Sequence, residues 1–341
     1  MLKHPVGAER DGAESQMALK TAGASPDRSR CILVMVGPTA SGKTVASLHI
    51  AHRLDAEIIS ADSRQIYRYM EIGTAKPAKD ERKTIKHYFV DELKPDQDFN
   101  AGDYGTRGRE IIDGIFRRHK VPFVVGGSGL YVQALVDGFF EGPSADPGFR
   151  EHLEGRLKTE GAGKLLDELR RIDPVAASRM LPSTTRRIVR ALEVHKLSGM
   201  PISELHKSRH TINFRSIFVG LQWDRKVLYD RINQRVDRMI EQGLMEEVKK
   251  LSSRGYSRDL NALQTTGYQE AFEFLEGKIS HDRMVELIKR NTRRYAKRQL
   301  TWFRRDKRIR WFDVKGQGEL ATVASNICDY FLSEVGAEST I

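Results

Sequence analysis

Cysteine is nearly missing from these 341 residues: only Cys31 and Cys328 occur, at opposite ends of the chain. Two isolated cysteines make neither a zinc cluster nor a disulfide-stapled secreted scaffold. Long apolar runs are missing too. No stretch approaches the roughly 18 residues of a membrane span, and mean hydropathy is −0.50, so no membrane partner is expected. Residues 1–29 hold no Phe, Tyr or Trp and no apolar core of secretion-signal length. They end in Gly23-Ala24-Ser25-Pro26 and read as a disordered extension, with a transit peptide as the alternative. Cytoplasm is the default compartment. Acidic residues are also short: 46 Asp and Glu stand against 57 Lys and Arg, leaving +11. Such a surplus favours polyanionic partners. The length, about two domains' worth, suffices for a full hydrophobic core.

The basic residues are concentrated. Between Arg283 and Arg310 lie twelve of them, opposed only by Glu286 and Asp306. A charge run on a helix is commonly just a solvated face. This one also holds Tyr295, Trp302, Phe303 and Trp311, a mixture suited to a phosphate backbone with bases to stack.

Strand-length apolar runs occur at Cys31–Val36, Glu57–Ser60, Val121–Val125 and Ser216–Leu221, separated by helical patterns. That alternation predicts an α/β fold, a parallel sheet flanked by helices on both faces. From Phe149 to about Leu205 the pattern is helical without a convincing strand. Because a strand returns afterwards, the economical reading is an all-helical insertion at 141–204 within one core formed by 30–140 and 205–315. Residues 316–341 read as a tail.

The most informative motif is Gly37-Pro38-Thr39-Ala40-Ser41-Gly42-Lys43-Thr44 between the first strand and a helix. It is a P-loop pattern, and the fold class is therefore P-loop NTPase-like. Its backbone N–H groups form an anion nest, Lys43 suits terminal phosphates, and the Thr44 hydroxyl suits Mg²⁺. Asp62 follows the second strand. It could be a metal ligand, a general base facing the crevice beyond the strands, or a cap or turn residue.

The order of motifs resembles that of the tRNA dimethylallyltransferases, also called tRNA isopentenyltransferases. The P-loop, Ala61-Asp-Ser-Arg-Gln-Ile-Tyr67 with Gly73-Thr-Ala-Lys-Pro77, and Val124-Val-Gly-Gly-Ser-Gly-Leu-Tyr131 come first. Arg187-Ile-Val-Arg-Ala-Leu-Glu-Val194, Leu228–Met239, Gln264-Thr-Thr-Gly-Tyr-Gln-Glu270 and Tyr295–Arg304 follow, so the likeness covers about residues 31–313. Ser128 stands where that family usually carries Thr, and Arg186 where it usually has Gln. The resemblance implies transfer of a dimethylallyl group from its diphosphate to N6 of the adenosine beside the anticodon. It makes Asp62 the base and gives the leaving diphosphate to Gly37–Thr44, Arg235 and Mg²⁺ at Thr44. It brings tRNA, through its anticodon stem-loop, to Asp62, Ser63, Arg64, Gln65, Ser128, Arg150, Arg186, Arg187, Ile188, Val189, Arg190, Gln264, Gly267 and Tyr268. A monomer is expected. Three rivals are a prenyltransferase acting on free adenine nucleotides, an ATP-using kinase or NTPase, and a non-catalytic RNA-binding module.

Overall fold

The computed structural model describes residues 30–138, 142–143, 146–207 and 212–336. Its centre is β1 (Cys31–Val36), six consecutive buried residues whose side chains alternate between two layers. Ile32, Val34 and Val36 join one hydrophobic cluster, while Cys31, Leu33 and Met35 join another on the opposite face. A strand covered on both sides must be apolar throughout, which is why it reads as an unbroken run.

The chain continues through α1 (Lys43–Arg53), β2 (Ala56–Ala61), α2 (Lys79–Thr84), β3 (His87–Tyr88), α3 (Ala101–Arg117), β4 (Val121–Gly126) and α4 (Gly129–Val136). After the insertion come β5 (Arg215–Gln222) and α10 (Arg225–Glu241). Next are α11 (Leu244–Ser253), α12 (Tyr268–Leu275), α13 (His281–Phe303), β6 (Arg310–Asp313) and α14 (Leu320–Gly336). The strands form one parallel sheet in the order β3-β2-β4-β1-β5-β6. β4 and β1 are neighbours in this order, yet β4 is followed by a helix on one face and β1 by a helix on the other. Their carboxyl ends therefore open the crevice in which parallel sheets place ligands.

The insertion consists of α5 (Pro147–Thr159), α6 (Ala162–Ile172), α7 (Pro174–Ala177), α8 (Thr185–Ser198) and α9 (Ile202–Leu205). It has its own apolar cluster, built on Leu153, Leu165, Leu166, Leu169, Ile188, Val189 and Leu192. Asp146 and Asp173 cap its helices by accepting N–H bonds from Phe149 and Ala176, a contribution of about 1 kcal/mol each.

The stretch read as a tail behaves otherwise. Residues 320–336 form α14, which lays Leu320, Val323, Ala324, Ile327, Cys328 and Phe331 into the layer beneath α1. The apolar positions recur at helical spacing, so the signal was in the sequence, but it follows the last strand and belongs to none of the motifs. Leu320 fills the space where a side chain at Gly42 would lie, 2.8 Å from the position of a Cβ. Gly42 also has φ +88°, so glycine is required there on both counts. Residues 1–29, and part of the joint at 141–147, lie outside the described residues.

Ile327 is fully buried in this layer. Replacing it with Ala is expected to cost about 2–5 kcal/mol, as for a core position, read as a lowered urea midpoint with an unchanged m-value. A loss below about 0.5 kcal/mol would mean that α14 is dispensable to the core.

Candidate active site

Four carbonyls of the P-loop are held by side-chain donors. Lys43 Nζ donates to Gly37 O at 2.9 Å and Pro38 O at 2.8 Å. Arg231 Nε donates to Ala40 O at 2.9 Å, and Trp223 Nε1 donates to Ser41 O at 2.8 Å. The Arg231 guanidinium lies 4.1 Å over the Trp223 ring, so these two clamps support one another. Arg231 is thus a brace for the loop. Thr39 differs: its N–H donates outward to Gln299 Oε1 at 2.9 Å.

Lys43, Asp62 and Arg235 meet at the strand ends. Burial, helped by the Arg235 charge, pulls the Lys43 ammonium down to about 7, against an upward pull from Asp62. Arg235, on the inner face of α10, is likewise lowered by burial and supported by Asp62. Two cations and one carboxylate leave a site with surplus positive charge, suited to a polyanion. Thr44 lies in the first turn of α1, next to Lys43. Among the described residues no cluster of three or more His, Cys, Asp or Glu could hold a metal. A divalent cation here would have the Thr44 hydroxyl plus oxygens from a bound phosphate and water. That is a hard-oxygen donor set of the kind Mg²⁺ takes in phosphate sites, and the residues present fit it.

Asp62 sits just past β2, and its Oδ1 accepts the Arg64 N–H at 2.9 Å. Ser63 N–H donates to Ser128 Oγ at 3.1 Å, joining this loop to the turn after β4. Arg64 reaches Asn261 O at 2.6 Å. Gln65 accepts from the Ser60 hydroxyl at 3.0 Å and points its amide at Thr74 O and Ala75 O. Asp62, Ser63, Arg64, Gln65 and Ser128 therefore lie together beside the P-loop. One further residue belongs with them. Tyr295 on α13 places its hydroxyl beside Ser128, and burial together with the Asp62 charge pushes it up to about 12. The sequence marked Tyr295 as an aromatic within a basic run and as the start of a motif, without giving it a role at the site.

Other expectations separate. Arg186 and Arg187 are exposed, as is Gln264. Arg150 and Arg190 instead converge on Glu193, which is fully buried: Arg150 Nε lies 2.8 Å from Oε1, and Arg190 Nη1 lies 2.6 Å from Oε2. Burial raises the Glu193 carboxyl, but bonds from Arg150, Arg190 and the Asp146 N–H outweigh it and hold the group below its ordinary value. A buried carboxylate needs such partners, so these two arginines hold the insertion together. The side chains of Ile188 and Val189 point into its apolar cluster. Tyr268 is also buried, donating to Glu247 Oε1 at 2.6 Å. The same Glu247 carboxylate receives the N–H groups of Glu71, Ile72 and Gly73. The side chains of Ile188, Val189 and Tyr268 are therefore packed inside the protein rather than on its surface. Gly267 is buried too, at φ +99° ahead of α12.

The basic run also divides. Arg283 pairs with Glu286, Lys289 with Asp237, and Arg308 with Asp137 and Asp306. Arg294, Lys297, Arg298, Arg304, Arg305 and Lys307 are exposed, with no ion-pair partner among the described residues. Tyr295 and Trp302 are 37% and 38% exposed, seven residues apart and so on one face of α13. Trp302 lies against Gly129 at the mouth of the site, whereas Phe303 is buried and Trp311 packs over Gly220. Two of the four aromatics remain as a stacking surface.

The model of the IPP transferase family matches residues 65–306. The chain belongs to that family. An IPP transferase relative, the tRNA dimethylallyltransferase of Thermoanaerobacter sp. strain X514, is 43% identical over 89% of this chain and 98% of its own length. That of Thermotoga maritima is 47% identical over 83% and 92%. Among solved structures, the full-length tRNA isopentenylpyrophosphate transferase of Bacillus halodurans is 39% identical, with a TM-score of 0.67 over 91% of this chain and 98% of that one. A eukaryotic dimethylallyltransferase acting on tRNA is 26% identical, with a TM-score of 0.76 over 89% and 80%. Within this IPP transferase fold no described helix is long and apolar enough to cross a membrane.

The lowered Lys43 ammonium gives a pH signature. A bound diphosphate favours the charged lysine, so protonation and binding are linked. As pH rises through about 7, free Lys43 loses its proton and its contribution to diphosphate binding fades. Titrations of inorganic diphosphate without divalent metal, comparing wild type with Lys43→Met, should show the wild-type advantage shrinking as pH rises from about 6 to 9. A constant advantage across that range would mean a lysine of ordinary basicity.

Proposed function

We infer that this enzyme transfers the dimethylallyl group of dimethylallyl diphosphate to N6 of the adenosine beside the anticodon of tRNA. The observation that carries the reading is the placement of Asp62 opposite Lys43 and Arg235 at the end of the P-loop strand. One carboxylate faces an anion nest across a crevice.

The chemistry requires this pairing. N6 of adenine is a weak nucleophile because its lone pair is delocalised into the ring. As N6 attacks C1 of the dimethylallyl group, the C1–O bond breaks, its electron pair leaves with diphosphate, and the N6 proton passes to Asp62. The P-loop N–H groups, Lys43 and Arg235 meet the negative charge that grows on the departing oxygen, where preorganised donors contribute most. Thr44 would hold Mg²⁺, which when bound neutralises further charge on the diphosphate. The adenosine must leave its stack to enter the crevice, at a cost of a few kcal/mol. Ser128 and Tyr295 line the entrance. The free cations of α13, with Arg186 and Arg187 on the insertion, supply phosphate contacts that offset that cost.

Two measurements test the reading. Asp62→Ala should slow single-turnover transfer by about 10²–10⁴-fold, the contribution of a positioned base, with diphosphate affinity little changed; near-normal transfer would remove Asp62 from the role. Replacing Lys297, Arg298 and Arg304 with Gln should weaken binding of an anticodon stem-loop. It should also flatten the slope of log K against log salt by about two. A slope equal to wild type would return this face of α13 to the solvent.

A further inference from the structure

Gln299 is one of the few polar side chains buried in the core, 6% exposed, and it sits on the inward side of α13. Its amide makes one bond to each lip of the crevice. Oε1 accepts the Thr39 N–H of the P-loop at 2.9 Å, and Nε2 donates to Gly127 O in the turn after β4 at 2.9 Å. Gly127 fits only because it lacks a side chain: a Cβ there would fall 2.2 Å from Nε2. The strands beneath are adjacent, with Val36 in register with Gly126, so the amide spans the two loops directly above them. From Gly127 the connection continues through Ser128, whose hydroxyl accepts the Ser63 N–H and so anchors the loop that carries Asp62.

We propose that Gln299 is a positioning residue that fixes the separation between the diphosphate nest and Asp62, and that it ties both to the helix that grips the RNA. The amide supplies an acceptor to one lip and a donor to the other in any ionisation state of its surroundings, because it does not titrate. Glu keeps the acceptor but, ionised, turns a carboxylate toward the Gly127 carbonyl. Met keeps the volume and supplies neither bond. The consequence is kinetic, because a displacement of about 1 Å between reacting groups costs on the order of 100-fold in rate.

The test uses Gln299→Met and Gln299→Glu in the full-length protein, with thermal melting to show the folded fraction. At saturating donor and stem-loop, single-turnover transfer per folded molecule should fall about 10–100-fold in both. Stem-loop affinity and its salt slope should match wild type, since the exposed face of α13 is untouched. Donor KM should change less than kcat. The decisive comparison is Asp62→Ala with and without Gln299→Met. A residue that acts by placing Asp62 has little left to lose once Asp62 is gone, so the second substitution should cost less than about threefold in that background. The proposal rests on the reading of Asp62 as the base, and the two fail separately. Near-normal transfer by Asp62→Ala would overturn that reading. Wild-type transfer by folded Gln299 variants, or losses that multiply fully in the double variant, would overturn the positioning role. If Gln299→Met does not fold, Gln299→Glu with and without Asp62→Ala distinguishes the same two failures.

Discussion

A peptide unit is bipolar: a loop that turns its N–H groups toward one point turns its carbonyls away from it, and those carbonyls need donors of their own. Much of this molecule follows from meeting that demand around residues 37–44. Trp223 arrives from the β5–α10 connection and Arg231 from α10 itself, Lys43 folds back on its own loop, and Gln299 takes the Thr39 N–H, which points outward. The anion nest is therefore not a local property of eight residues. It is completed by elements far along the chain, and those elements also carry Arg235 and the basic face of α13.

The insertion solves a different problem. It is too small to bury much apolar surface, and it adds a buried carboxylate, Glu193, that gathers two arginines and the Asp146 N–H around one point. Losing either arginine would leave that charge undercompensated, which is far more costly than losing a surface ion pair. On α8 of this unit Arg186 and Arg187 are exposed, with no ion-pair partner among the described residues.

How much of this could be read from residues alone depended on whether a signal was local. The apolar run of β1 and the glycines of the P-loop are contiguous and predicted the strand, loop and helix that the structure has, whereas for the Asp after β2 spacing left several roles open. The partners of Arg150 and Tyr268 are not contiguous. Glu193 lies 43 positions from Arg150 and Glu247 lies 21 from Tyr268, so the same arginine reads equally well as a phosphate contact or a structural tie. Within Arg187–Val194 the expectation of an RNA contact came from the family likeness alone, while packing turns the side chains of Ile188 and Val189 inward. Gln299 was visible only as a letter in a motif, because its role depends on two loops meeting above adjacent strands.

The contact between Leu320 and Gly42 has a consequence for how the protein is made. Synthesis delivers the phosphate loop early, in its complete sequence, but the helix that backs it emerges only after the sheet, the insertion and the basic arm. Until then Gly42 and the apolar side of α1 face water, and pairing so distant in sequence is slow to form. A nascent chain thus carries the basic run of α13 before the helix that backs its phosphate loop has been made.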